Sequence, residues 1–218
     1  MNDMYSQQHR QLQDLHDTRN LADRVQELIV ENQINEQHQP FIESRDFFFL
    51  TTIDHRGYPT CSYKGGNPGL VRVIDPQTLA FPSYDGNGMF LSMGNIQGNP
   101  KIGMLFIDFE TPHRIRVHGE ASIQEGDSLL SEYPGADTIV RVEIGEIFIN
   151  CPRYIHRMQR IETSKYVPQP GNETPIPQWK RIDVVQDALP ASEQGLAEKL
   201  GGTITPEEYG EKVMKGEG

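Results

Sequence analysis

From Arg114 to Ile123 the chain alternates without a break. Ile115, Val117, Gly119, Ala121 and Ile123 fall on one side, and Arg114, Arg116, His118, Glu120 and Ser122 on the other. A period of two is the geometry of a β-strand with one face on a core and the other on polar surroundings. Other runs fit the same frame. Phe47–Ile53 is uncharged and β-prone, and a turn at Asp54-His55-Arg56-Gly57 leads into a returning strand at Pro59–Lys64. Leu70–Ile74, Thr78–Phe81, Lys101–Phe109 and Ile139–Ile149 read as further strands, with a turn at Asp75-Pro76-Gln77. Met89–Gly98 reads as a helix stopped by Asn99-Pro100, and Asp127–Glu132 as a helical turn. Six or seven short strands, tight turns and one inserted helix point to a closed or partly closed antiparallel barrel of mainly β, α+β character.

The ends are different. Of the 218 residues only 36% are apolar, and mean hydropathy is −0.58. The deficit lies in the Gln-, Asn-, Asp- and His-rich first forty residues and in the Glu-, Gly- and Lys-rich end. The expected organisation is a helical arm at 1–40, the barrel at 41–182 and a polar helical tail at 183–218. Leu12–Ile29 has the spacing of one or two amphipathic helices. Pro40 is expected to break the helical pattern before a short helix around Phe41–Ser44.

A net charge of −11 speaks against a nucleic-acid partner, which needs a basic footprint. No run approaches the roughly 20 apolar residues of a membrane span, and the N-terminus lacks an apolar signal segment. Cys61 and Cys151 are too few for a disulfide framework. A cytoplasmic protein with both thiols reduced is the expectation.

Several chemistries lack their motifs. There is no phosphate-cradling Gly-x-x-x-x-Gly-Lys, no Gly-x-Gly-x-x-Gly and no metal-ligand spacing of Cys or His. His113 and His118 are expected on opposite strand faces, as are Glu143 and Glu146, so no acid–base pair is expected. Cys151 reads as a small buried residue. Three features remain. Ser62 and Lys64 lie on a strand that runs into a glycine pair. Pro82, Ser83, Asp85, Gly86 and Asn87 lead into a helix carrying Ser92, and a helix entered this way offers free N–H groups to an anion. Arg114 and Arg116 form a local positive face in an acidic chain.

The order of these features resembles the pyridoxamine 5′-phosphate oxidase-like flavoproteins. The resemblance runs through Asp46-Phe47-Phe48 to Gly57-x-Pro59, Gly69-Leu70-Val71-Arg72-Val73 and Leu79-Ala80-Phe81-Pro82. It continues through Ser92-Met93-Gly94-Asn95-Ile96, Asn99-Pro100 and Arg114-Ile115-Arg116-Val117-x-Gly119. It implies an antiparallel split β-barrel of the FMN-binding type that works as a homodimer, with FMN between two barrels. Ser62, Lys64 and Ser92 would then serve the phosphate and ribityl end. Pro82, Ser83, Asp85, Gly86 and Asn87 would lie beside the ring, and Arg114, with Arg116 near it, would reach the flavin from the partner. The implied function is an FMN-dependent oxidoreductase acting on a small-molecule substrate or electron donor. The alternatives are a flavin-binding or sensing protein without turnover and the same barrel holding haem or a deazaflavin. Oxidation of vitamin B6 itself is not expected. Asn67 and Ser62 stand where those oxidases carry basic residues, and no histidine follows Trp179-Lys180-Arg181.

Overall fold

The structure is a computed structural model and describes residues 4–218. Two helices open it, α1 (Gln7–Leu15) and α2 (Arg19–Ile29), followed by a two-residue strand β1 (Val30–Glu31) and α3 (His38–Glu43). Then come β2 (Phe47–Ile53), β3 (Pro59–Gly65), β4 (Arg72–Asp75), β5 (Thr78–Tyr84), α4 (Leu91–Gly98), β6 (Lys101–Asp108), β7 (His113–Gln124) and β8 (Ala136–Ile149). The strands pair antiparallel in the order β3-β2-β6-β7-β8-β5-β4, and β1 adds to β8. β3 and β4 end the order without pairing to each other, so the barrel is split. The chain divides into two compact units after Glu162. The second, Thr163–Gly218, holds short helical turns, α5 (Leu196–Lys199) and α6 (Pro206–Met214), with Lys180 buried against Glu193 at 2.7 Å. No helix among the described residues is long and apolar enough to cross a membrane.

Aromatic packing curls the sheet. Phe48 of β2 meets Phe81 of β5 edge-on, with ring centroids 5.0 Å apart, although those strands are not neighbours. Phe106 of β6 stacks on Phe48 at 5.5 Å. All three rings are fully buried, each worth roughly 1.5–3 kcal/mol of transfer free energy. Leu50, Met104, Ile115, Val117, Val140, Val142 and Ile147 complete the inner face. Phe47, Phe49 and Leu105 alternate with these residues and lie half-buried on the outer face.

Four expectations are corrected. Among the described residues the strands number eight, because Val30–Glu31, read as arm, joins the sheet. Pro40 does not break a helix; it sits in the first turn of α3, where its missing N–H has no partner to lose. β5 continues through Pro82, since β4 pairs only as far as Ala80 and leaves that flank open. Glu143 and Glu146 share a face. The pairing shifts between His118 and Gly119, which face Glu146 and Ile144, so Gly145 is an extra residue that turns Glu146 outward.

That bulge demands a glycine opposite it. A Cβ on Gly119 would lie 2.3 Å from the Glu143 carbonyl oxygen, whereas one on Gly94, within α4, would meet open space. Gly119→Ala should therefore cost about 2 kcal/mol or more. Gly94→Ala should gain about 0.5–1 kcal/mol. Denaturant unfolding measures both, and equal effects would contradict the register.

Candidate functional site

Alternation places Thr60, Ser62 and Lys64 on the face of β3 that looks toward α4, while Cys61 and Tyr63 are exposed. Ser62 Oγ lies 3.1 Å from Ser92 Oγ in the first turn of α4. One turn on, Asn95 Nδ2 donates to Thr52 Oγ1 at 3.0 Å and reaches Thr60 Oγ1 at 3.5 Å. These bonds pin the helix against β2 and β3. Its N-terminus has no side-chain cap; Phe90 occupies that position in the left-handed region at φ +48°. The N–H groups of the first turn thus remain available to an acceptor, with the positive end of the helix behind them. Lys64 has no acidic partner among the described residues, and burial pulls its ammonium below the usual lysine range. Two hydroxyls, free backbone N–H groups and an unanswered ammonium form a donor set suited to a phosphate.

Pro82 is buried and Ser83 half-buried at the end of β5, and Asp85, Gly86 and Asn87 form the exposed loop that follows. Asn87 Oδ1 accepts from the N–H of Met89 at 3.1 Å, and Gly88 takes φ +76° to turn the chain. Met89, Phe90 and Leu91 then stand 61%, 67% and 50% exposed at the uncapped end of α4. Three exposed apolar residues thus adjoin the first-turn N–H groups of α4.

Arg114 and Arg116 lie elsewhere, on the outer face of β7. Arg114 Nη2 donates to the Cys151 carbonyl at 2.9 Å, while its buried Nε has no acceptor. Arg116 extends over the Phe148 ring, 5.8 Å from its centroid. Within one chain, then, the expected phosphate donors and the expected arginines occupy opposite faces of the sheet. Cys151, expected buried, is exposed; both cysteines are free.

One pair escaped the sequence reading. His118 Nδ1 lies 2.6 Å from Glu146 Oε1 on the outer face, where no acid–base pair was expected. The signal was Gly145: an isolated glycine inside a strand pattern marks a bulge, and a bulge inverts the face of every residue after it.

The sequence matches the profile of the pyridoxamine 5′-phosphate oxidase family over residues 34–150. The chain belongs to that family. The match spans α3 to the end of β8 and includes every candidate residue from Ser62 to Arg116; α1, α2 and the second unit lie outside it. Solved structures are similar to this chain over part of its length. HupZ of Group A Streptococcus is 22% identical over 53% of this chain and 93% of its own, with a TM-score of 0.44. An FMN-binding protein of Syntrophomonas wolfei is 13% identical over 65% of this chain and 97% of its own, with a TM-score of 0.41. General Stress Protein 26 of Bacillus anthracis is 17% identical over 50% and 88%, with a TM-score of 0.38. No curated protein sequence matches this one.

Lys64 gives this family member a measurable pH signature. Its folded pKa is depressed, so between that value and the ordinary 10.5 the unfolded chain holds more protons than the folded one. Stability from this group therefore rises with pH across that window, and below it the buried cation is a penalty. Lys64→Met should flatten the rise and raise the Tm of the ligand-free protein at neutral pH by about 2 °C or more. Thermal unfolding across the alkaline range tests it; a lower Tm at neutral pH would show Lys64 to be structurally partnered.

Proposed function

We propose that this protein binds FMN at the uncapped end of α4 as a homodimer and acts as an oxidoreductase on a small-molecule donor. The observation that carries the reading is the adjacency of phosphate donors and an apolar platform. FMN is a dianion joined to a flat ring, and the residues present fit both ends. Ser62, Lys64, Ser92 and the first N–H groups of α4 would take the phosphate. Pro82, Ser83 and the Asp85-Gly86-Asn87 loop would flank the ring, with Met89–Leu91 beneath it. When bound, the flavin supplies two-electron chemistry, and the protein supplies orientation and electrostatics. Lys64 would offset the dianion locally, against the mean field of a chain at −11.

Dimerisation rests on the outer face. Phe47, Phe49 and Leu105 lie there only half-buried, and Phe47 stacks on Tyr63, itself 63% exposed, at 5.4 Å. Arg114 lies on that same face with an unanswered buried Nε. A partner barrel docked there would cover the aromatic groups and bring Arg114 to the flavin of the other subunit. The surface of one chain cannot do this for itself.

Hydrogen bonds to a charged group are worth about 1.5–3 kcal/mol, so losing one should weaken FMN by about ten- to a hundredfold. Lys64→Ala and Ser92→Ala should each do so while leaving riboflavin, which lacks the phosphate, far less affected. Arg24→Ala, on the exposed surface of α2, should change neither. Fluorescence titration with both flavins reads this out, and unchanged FMN affinity in both variants would misplace the phosphate. Sedimentation should report a species near twice the chain mass of 24.8 kDa; a monomer at micromolar concentration would remove the partner's arginine from the account.

A further inference from the structure

Asn35 and His38 stand three residues apart at the entry to α3, the spacing of a capping box, with histidine where Glu or Gln is usual. The exchange is reciprocal. Asn35 Oδ1 accepts from the N–H groups of Gln37 and His38 at 2.9 and 3.0 Å, and His38 Nδ1 accepts from the Asn35 N–H at 3.4 Å. Asn35 Nδ2 donates in turn to both carboxylate oxygens of Glu31, at 2.8 and 3.1 Å. Glu31 is half of β1 and lies opposite Ile147 of β8. Its Oε1 is 3.9 Å from His38 Nε2, so the polar circuit closes on itself. Through this circuit β1, which carries the chain from α2 into the barrel, is tied to α3.

The imidazole at the centre is 2% exposed, and Ile34 and Ile42, to either side of it in the chain, are buried in the core. Two titratable groups face it. One is Glu31 from β1; the other is His113 at the start of β7, whose ring meets Phe41 of α3 edge-on at 4.5 Å. Glu43, the acidic residue of α3, accepts instead from the Val73 N–H of β4 at 3.1 Å. Because Nδ1 accepts a hydrogen bond, the neutral ring carries its proton on Nε2, toward Glu31. A second proton must enter at Nδ1. There it meets the Asn35 N–H, donor against donor, and the reciprocal pair is lost. Glu31 favours the cation, but at 3.9 Å it makes no hydrogen bond to the ring. Burial outweighs it, and His113 reinforces burial, so the ring is held below the usual histidine value of 6.5.

We propose that His38 is an acid-sensitive latch that holds β1, and with it the α1–α2 arm, on the barrel. As the pH falls, solvent delivers a proton to Nδ1. An Nδ1–H bond forms, the hydrogen bond from Asn35 breaks, and no electrons change hands. Asn35 and Glu31 then lose their fixed place against α3, and the two-residue pairing of β1 with β8 opens. The sign follows from burial. The closed latch refuses a proton that the open one accepts, so it is fully closed above about pH 6.5 and loosens as pH falls from there toward the ring's own lower value. Neither flavin nor partner enters this device, so its test is separate from those above.

The test is amide hydrogen exchange of the full-length protein, corrected for intrinsic rates, from about pH 8 to about pH 5. Residues 30–35 should lose protection by about threefold or more across that range, while β7 keeps its own. His38→Gln, whose side chain can accept from the Asn35 N–H without titrating, should hold the protection of residues 30–35 constant. NMR of the histidine rings in the unsubstituted protein gives a second readout. His38 should carry its proton on Nε2 at neutral pH and titrate below 6.5, and Glu31→Gln should move that midpoint further down. Three results would overturn the proposal: protection of residues 30–35 that persists in acid, a loss in His38→Gln equal to that of the unsubstituted protein, or a His38 ring that titrates at or above 6.5.

Discussion

The Phe48 ring holds the architecture together. It belongs to β2, yet its edge-on partner Phe81 belongs to β5, on the far side of the sheet order. A flat sheet cannot bring those strands into contact. Only a curled one can, and the curl creates an inner face packed with Leu50, Met104, Phe106, Ile115 and Val142 and an outer face that is left partly apolar and partly charged. Everything functional follows from that division. The inner side ends at α4, whose position is set by the bonds of Ser92 to Ser62 and of Asn95 to Thr52. The outer side carries Arg114, Arg116 and His118.

The two faces differ in how they treat charge. On β3 a lysine is desolvated without an acidic partner among the described residues, two residues on from Ser62, whose hydroxyl meets that of Ser92 in the first turn of α4. A fold under selection for stability alone has little use for such an arrangement, and a local cost of this kind commonly marks a binding site. On the outer face the cost takes another form, aromatic rings left open to water and a buried guanidinium nitrogen without an acceptor.

Much of this was legible in the sequence because it rests on short-range periodicity. The alternation at Arg114–Ile123 located β7, the Phe47–Ile53 run located β2, and the loop from Pro82 to Ser92 pointed to the uncapped helix. The order of those motifs pointed to the family. The misreadings have separate causes. Gly145 inserts a single residue into β8, and no pattern of period two survives an insertion; Glu146 therefore appeared on the wrong face and its bond to His118 went unseen. Val30 and Glu31 were absorbed into a helical arm because a two-residue strand has no periodicity to detect. Cys151 was read by residue type as buried, whereas the chain leaves β8 just before it and exposes it. Separation of the phosphate donors from the arginines is a tertiary fact, set by which face each strand presents.

The central claim is that the uncapped end of α4 is where a flavin phosphate binds. A crystal structure of the protein grown with FMN tests it most directly. The phosphate should lie within hydrogen-bonding distance of Ser62 Oγ, Ser92 Oγ and the first N–H groups of α4, with Lys64 beside it and the ring along Met89–Leu91. A flavin phosphate bound on the outer-face arginines, with the end of α4 left to solvent, would contradict the account.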